Sequence, residues 1–139
     1  PEQIIEWTGG DVIVATGSPF TPIEFGGKTF PIAQCNNAYI FPGVGLGVIS
    51  AKSRRVTDEM LSVASHTLAE ASPLVNSGVG GLLPELTELA NLSKKIAFNV
   101  AKVAMDQGHA LEISDDDLRN RIENNFWNPT YREYKRVSY

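Results

Sequence analysis

Cysteine is nearly absent: Cys35 stands alone among 139 residues. One thiol makes neither an internal disulfide nor a multi-thiolate metal centre, and it fits a reducing cytoplasm. Histidine is almost as scarce, and His66 and His109 sit in different segments with no second histidine at ligand spacing, so both read as surface residues. Basic excess is also missing. Lys and Arg number 12 against 16 Asp and Glu, a net charge of −4, which gives no electrostatic reason for nucleic acid or an anionic membrane as partner. No apolar run approaches the roughly eighteen residues of a membrane span. The best window, residues 38–49, is broken by Pro42 and three glycines. The first residues, Pro1-Glu2-Gln3, are polar and acidic where a secretory leader is basic and then apolar. With 42% hydrophobic and 20% charged residues, the composition is that of one ordinary globular domain.

The chain divides into a strand-bearing first part and a helical remainder. Residues 2–7 read as the end of a helix with no capping side chain before it, stopped by Gly9-Gly10. The uncapped start and the missing Met lead to the expectation of a fragment of a longer protein. Residues 11–16 form a β-branched, nearly all-apolar run, which predicts an interior strand covered on both faces. It ends at Thr16-Gly17-Ser18-Pro19, and ligands of open α/β sheets bind at such carboxyl ends. Residues 22–25 and 28–32 flank Gly26-Gly27, a hairpin signal. Asn36 or Asn37 is placed to cap a helix running towards Ile49, in which Gly43 and Gly47, one turn apart, leave a bare strip for close approach. Thr57 caps a helix to about Ala71, residues 76–81 read as a loop, and Pro84 opens a long helix that Gly108 ends. Ser114 caps a further helix to about Phe126.

Few residues carry chemistry. Ser18 lies in Thr-Gly-Ser-Pro and has no elbow motif or triad order around it. Gly43-x-Gly45-x-Gly47 lacks the third glycine of a dinucleotide fingerprint and no strand leads into it. Asp115-Asp116-Asp117 is an acidic helix start, favoured by the helix dipole. Asn36-Asn37 differs, because two adjacent carboxamides stand at a loop-to-helix junction among apolar and glycine residues. Two readings stand on their chemistry: a helix cap, or donor and acceptor groups for a substrate carboxylate or a nicotinamide amide.

Two strings in this chain, Ala15-Thr16-Gly17-Ser18-Pro19-Phe20 and Gln34-Cys35-Asn36-Asn37-Ala38-Tyr39-Ile40-Phe41-Pro42-Gly43-Val44-Gly45-Leu46-Gly47, closely resemble the C-terminal part of malic enzymes. The likeness extends through Ser72-Pro73-Leu74, Leu83-Pro84-Glu85-Leu86, Asn124-Asn125-Phe126-Trp127 and Tyr131-Arg132-Glu133-Tyr134, and so spans essentially the whole chain. It is similar to the bacterial NAD-dependent branch.

The resemblance implies an α/β fold: residues 1–36 as the end of a Rossmann-like NAD-binding domain, with short strands and a hairpin, residues 37–108 as a mainly helical segment returning to the catalytic domain, and residues 109–139 as a C-terminal helical extension. It implies oxidative decarboxylation of malate to pyruvate and CO2 with NAD and Mg²⁺ or Mn²⁺, in a cytoplasmic homo-oligomer. Asn36 and Asn37 would face substrate, and Gly17, Ser18 and Asn36 the cofactor. The family's acid tyrosine, base lysine, metal ligands and glycine-rich loop would precede Pro1, leaving this chain inactive alone. Tyr39, Tyr131 and Lys28 take none of those roles. A malolactic enzyme releasing lactate, or a non-catalytic helical binding or dimerisation module, are the alternatives.

Overall fold

The computed structural model describes residues 1–78, 80–131 and 133–137, and has a small strand-bearing part beside a helical bundle. Helix α1 (Glu2–Trp7) has no side-chain cap, buries Ile5 and rests on the hairpin β2 (Ile23–Phe25) and β3 (Lys28–Phe30). Gly26 and Gly27 have φ of 58° and 75°, the double left-handed pair that a two-residue turn needs to match strand twist. The hairpin links β1 (Ala15–Thr16) to β4 (Ala33–Gln34), which pair in parallel with Ala15 opposite Ala33 and Thr16 opposite Gln34.

The expected interior strand is therefore shorter and less covered than residues 11–16 suggested. Only Ala15 and Thr16 pair; Val14 is buried, while Ile13 is 63% exposed. A β-branched run shows that a strand tolerates burial on both faces, but it does not supply neighbours, and β4 is the one strand among the described residues that reaches it.

The bundle follows. After a 3₁₀ turn over Asn37–Tyr39 come α2 (Phe41–Ala51), α3 (Asp58–Glu70), α4 (Pro73–Ser77), a 3₁₀ turn at Leu86–Glu88, α5 (Leu89–Asp106) and α6 (Asp115–Asn125). Thr57 and Ser114 cap α3 and α6 as expected, their hydroxyls accepting from Met60 N and Asp117 N. Two expectations needed correction. Residues 76–81 are not all loop, because Ser72 caps and Pro73 opens the short α4. Pro84 does not open the long helix; Pro84 is buried, and α5 starts at Leu89.

Helix α5 is the centre of the bundle. Its Leu92, Ile96, Val100 and Ala104 face Tyr39, Val44, Met60 and Ala64, while Ala97, Ala101 and Met105 face Ala51, Leu118 and Ile122 of α2 and α6. Gly43 and Gly47 let α2 lie directly on it, since a β-carbon at Gly43 would stand 2.7 Å from Ile96 Cβ. Asn125 Nδ2 donates to Ser50 Oγ at 3.3 Å, and Lys94 pairs with Glu123 at 2.7 Å, so α6 is fastened to both α2 and α5. No helix among the described residues is long and apolar enough to cross a membrane.

Candidate functional site

The parallel pairing of β1 and β4 decides where the two signature strings meet. Thr16 and Gln34 are partners in register, and Cys35 N donates to Thr16 O at 2.8 Å. Both strands therefore end at the same edge. Gly17 and Ser18 leave from one, Asn36 and Asn37 from the other, and all four are exposed. Thr16 Oγ1 donates to Ser18 O at 2.8 Å, which folds the chain over the end of β1. Gly17 has no atom within 4 Å of the place its β-carbon would occupy, so its backbone is open to close approach.

Of the two readings open to Asn36, the structure shows the cap. Its Oδ1 accepts from Ala38 N at 2.9 Å and caps the 3₁₀ turn. The cap serves that turn and not α2, whose own cap, Ile40, has no side-chain bond. One Asn36 oxygen is thus occupied, while the carboxamide Nδ2 has no acceptor among the described residues. Neither does the side chain of Asn37. A cap and a ligand contact use different atoms of the same residue.

Tyr39 closes the turn and is the residue that sequence reasoning left without a role. It is 4% exposed, and its hydroxyl donates to Pro84 O at 2.7 Å. Burial, then the nearby Glu85 and Cys35, push its phenol above the ordinary 10.0. Beside it a cleft of about 470 Å³ runs between residues 12–14 and 30–34 on one side and residues 80–86 on the other. Its pairing with a segment 45 residues away leaves no mark in local spacing. The other residues of acid or base type lie elsewhere: Lys28 is exposed on the hairpin and Tyr131 is exposed in the tail.

The remaining candidates resolve as structural. Gly43 and Gly47 are buried in α2 against α5 and form no phosphate loop. Asp115 pairs with Lys102 at 3.0 Å, the Asp115 hydrogen bond holding the Lys102 ammonium above its ordinary range. His66 is exposed, and no group of three His, Cys, Asp or Glu among the described residues is arranged to hold a metal ion, so no metal step is assigned to them. The edge of β1 and β4 presents a free Nδ2 donor, a second carboxamide and an unobstructed glycine backbone at the carboxyl ends of two parallel strands, the place where open α/β sheets bind ligands.

Comparison with known proteins gives a consistent picture. A family described as "Malic enzyme, NAD binding domain" matches residues 1–105. The chain is 64% identical over 138 residues to the NAD-dependent malic enzyme of Colwellia psychrerythraea, covering 99% of this chain. It is 58% identical over its full length to that of Aliivibrio fischeri. It spans 25% of the length of each. A crystal structure of Entamoeba histolytica malic enzyme superposes with a TM-score of 0.64 at 25% identity, covering 86% of this chain and 23% of that one.

Proposed function

The chain belongs to the malic enzyme family, and from that premise we propose that it is a segment of an NAD-dependent enzyme oxidising malate to pyruvate and CO2. The observation that supports this most is the shared edge of β1 and β4, where Gly17 and Ser18 stand beside Asn36 and Asn37. In this reading Asn36 Nδ2 donates to the malate carboxylate or the nicotinamide carboxamide while Oδ1 keeps its cap. Asn37 supports it on the substrate side. Gly17 and Ser18 lie along the cofactor, with the bare backbone of Gly17 allowing contact that a side chain would block. NAD held at this edge would supply the hydride acceptor for malate oxidation. The chain's own residues bind and orient.

The divalent ion, Mg²⁺ or Mn²⁺, together with the acid and base, belongs in this proposal to other parts of the protein, so the segment alone is inactive. Residues 1–36 end the nucleotide domain, 37–108 return to the catalytic domain, and 109–139 extend it. The whole works as a cytoplasmic homo-oligomer.

The test is turnover of the full-length enzyme with malate, NAD and Mn²⁺, wild type against Asn36→Ala. Pyruvate release and a tenfold or greater fall in kcat/KM, about 1.4 kcal/mol, support the proposal. Lactate as product points to the malolactic alternative, and no turnover of malate removes the family activity from this protein. Unchanged kinetics in the variant removes Asn36 from the site.

A further inference from the structure

The 3₁₀ turn that carries the two carboxamides is a poor anchor by itself. It is three residues long, and such turns have weak hydrogen-bond geometry and no cooperative length behind them. Its internal bonds run from Ala38 N to Asn36 Oδ1 at 2.9 Å, from Tyr39 N to Asn36 O at 3.1 Å and from Ile40 N to Asn37 O at 3.1 Å. These fix the shape of the turn and not its place in the molecule. Its place is set by the chain on either side, paired β4 before it and packed α2 after it, and within the turn by Tyr39, whose ring joins the main core with Val44, Met60 and Ile96 and whose hydroxyl ends on Pro84 O at 2.7 Å.

The acceptor side is firm as well. Pro84 is buried, and its ring fixes φ, which removes one of the two backbone rotations that could move its carbonyl. A phenylalanine would fill the same core volume; only the hydroxyl registers the turn against residues 80–86. Neither the Asn36 Nδ2 nor the Asn37 side chain has another protein partner among the described residues, so their direction follows their backbone.

We propose that Tyr39 is a positioning residue: its hydroxyl bond to Pro84 holds the turn so that the Asn36 carboxamide faces malate and the nicotinamide. This rests on the site reading given under Proposed function. A displacement of a binding group by about an ångström is enough to cost up to a hundredfold in rate. Loss of one hydrogen bond beneath the turn therefore reaches the kinetics without removing any group that touches substrate.

The experiment is a double-mutant cycle in the full-length enzyme, with wild type, Tyr39→Phe, Asn36→Ala and the double variant assayed on malate, NAD and Mn²⁺. Tyr39→Phe is expected to lower kcat/KM for malate about tenfold, and the double variant to fall well short of the product of the two single effects, because Tyr39 acts through the turn that carries Asn36 and Asn37. A residue that only stabilises the fold would lower the melting temperature and multiply with Asn36→Ala. That multiplication, or a kcat/KM within twofold of wild type for Tyr39→Phe, overturns the proposal while the site reading stands. Indifference to Asn36→Ala overturns the site reading and takes this proposal with it. Should Tyr39→Phe fail to fold, Pro84→Gly frees the acceptor from the other side, with the same fall and the same non-additivity expected and their absence decisive.

Discussion

Gly47 of α2 lies against the backbone of Ala97 of α5: a β-carbon at position 47 would stand 2.6 Å from Ala97 O and 3.1 Å from Val100 Cβ. The carbonyl belongs to a helix and has nowhere to go. Gly47→Ala is therefore expected to push α2 off α5 and destabilise by about 2–3 kcal/mol, the upper part of the overpacking range. Gly45, two residues earlier in the same helix, has nothing within 4 Å of its β-carbon position. Gly45→Ala should stabilise by about 0.5–1 kcal/mol, since alanine is the better helix former. Thermal or urea unfolding of both variants checks this, and shifts of the same sign would refute the packing of α2 on α5.

Leu118 tests whether α6 is part of the core. It is 0% exposed and lies with Ala97, Ala101 and Ile122. Leu118→Ala should cost about 2–5 kcal/mol through the lost burial and the cavity left behind. Leu111, 86% exposed in the connection before α6, should change stability by no more than about 0.5 kcal/mol when replaced by alanine. Unfolding midpoints that fail to separate the two variants would mean that α6 is not docked.

Where a feature is local, the sequence was readable. The caps Thr57 and Ser114, the Gly26-Gly27 turn and the bare strip of Gly43 and Gly47 each depend on residues within one or two turns of each other. The misreadings came from context. The run at 11–16 has the composition of a buried strand, but its pairing depends on β4 seventeen residues away. Pro84 has the look of a helix opener, yet its observed role is to be buried and to present a carbonyl to Tyr39. Gly17, Ser18, Asn36 and Asn37 are candidates by type and by resemblance, and the structure brings all four to one edge. The strut beneath them was not legible, because nothing in the spacing ties position 39 to position 84.

Asn36 can be split into its two atoms by substitution. Aspartate is as good a cap as asparagine, so Asn36→Asp should keep the bond to Ala38 N and leave stability within about 0.5 kcal/mol, whereas Asn36→Ala should lose about 1 kcal/mol. For activity the order reverses. Aspartate deletes the Nδ2 donor and sets a negative charge towards a dicarboxylate substrate, so kcat/KM for malate in the full-length enzyme should fall further in Asn36→Asp than in Asn36→Ala. Melting curves and steady-state kinetics on the pair give the answer. If aspartate retains both stability and activity, Asn36 is a cap and nothing else.

Tyr39 carries a prediction about alkaline pH that is separate from its kinetics. Burial first, and Glu85 and Cys35 after it, hold its phenol above 10.0 in the folded protein. The unfolded chain has no such burial and releases the proton near 10.0. Between those two values the unfolded state binds fewer protons than the native state, so stability falls as pH rises. Below the unfolded value both states keep the proton, and Tyr39 adds no slope. Urea midpoints measured from pH 8 upward should therefore stay level with respect to this group and then bend down past pH 10. Tyr39→Phe should remove part of that bend while lowering stability at pH 8 by about 1 kcal/mol for the lost hydrogen bond. Glu85→Gln should remove a smaller part, because the carboxylate is the second cause and burial the first. An alkaline limb that is the same in wild type and Tyr39→Phe would mean that the phenol titrates alike in both states, and the burial of its hydroxyl beside Glu85 would have to be abandoned.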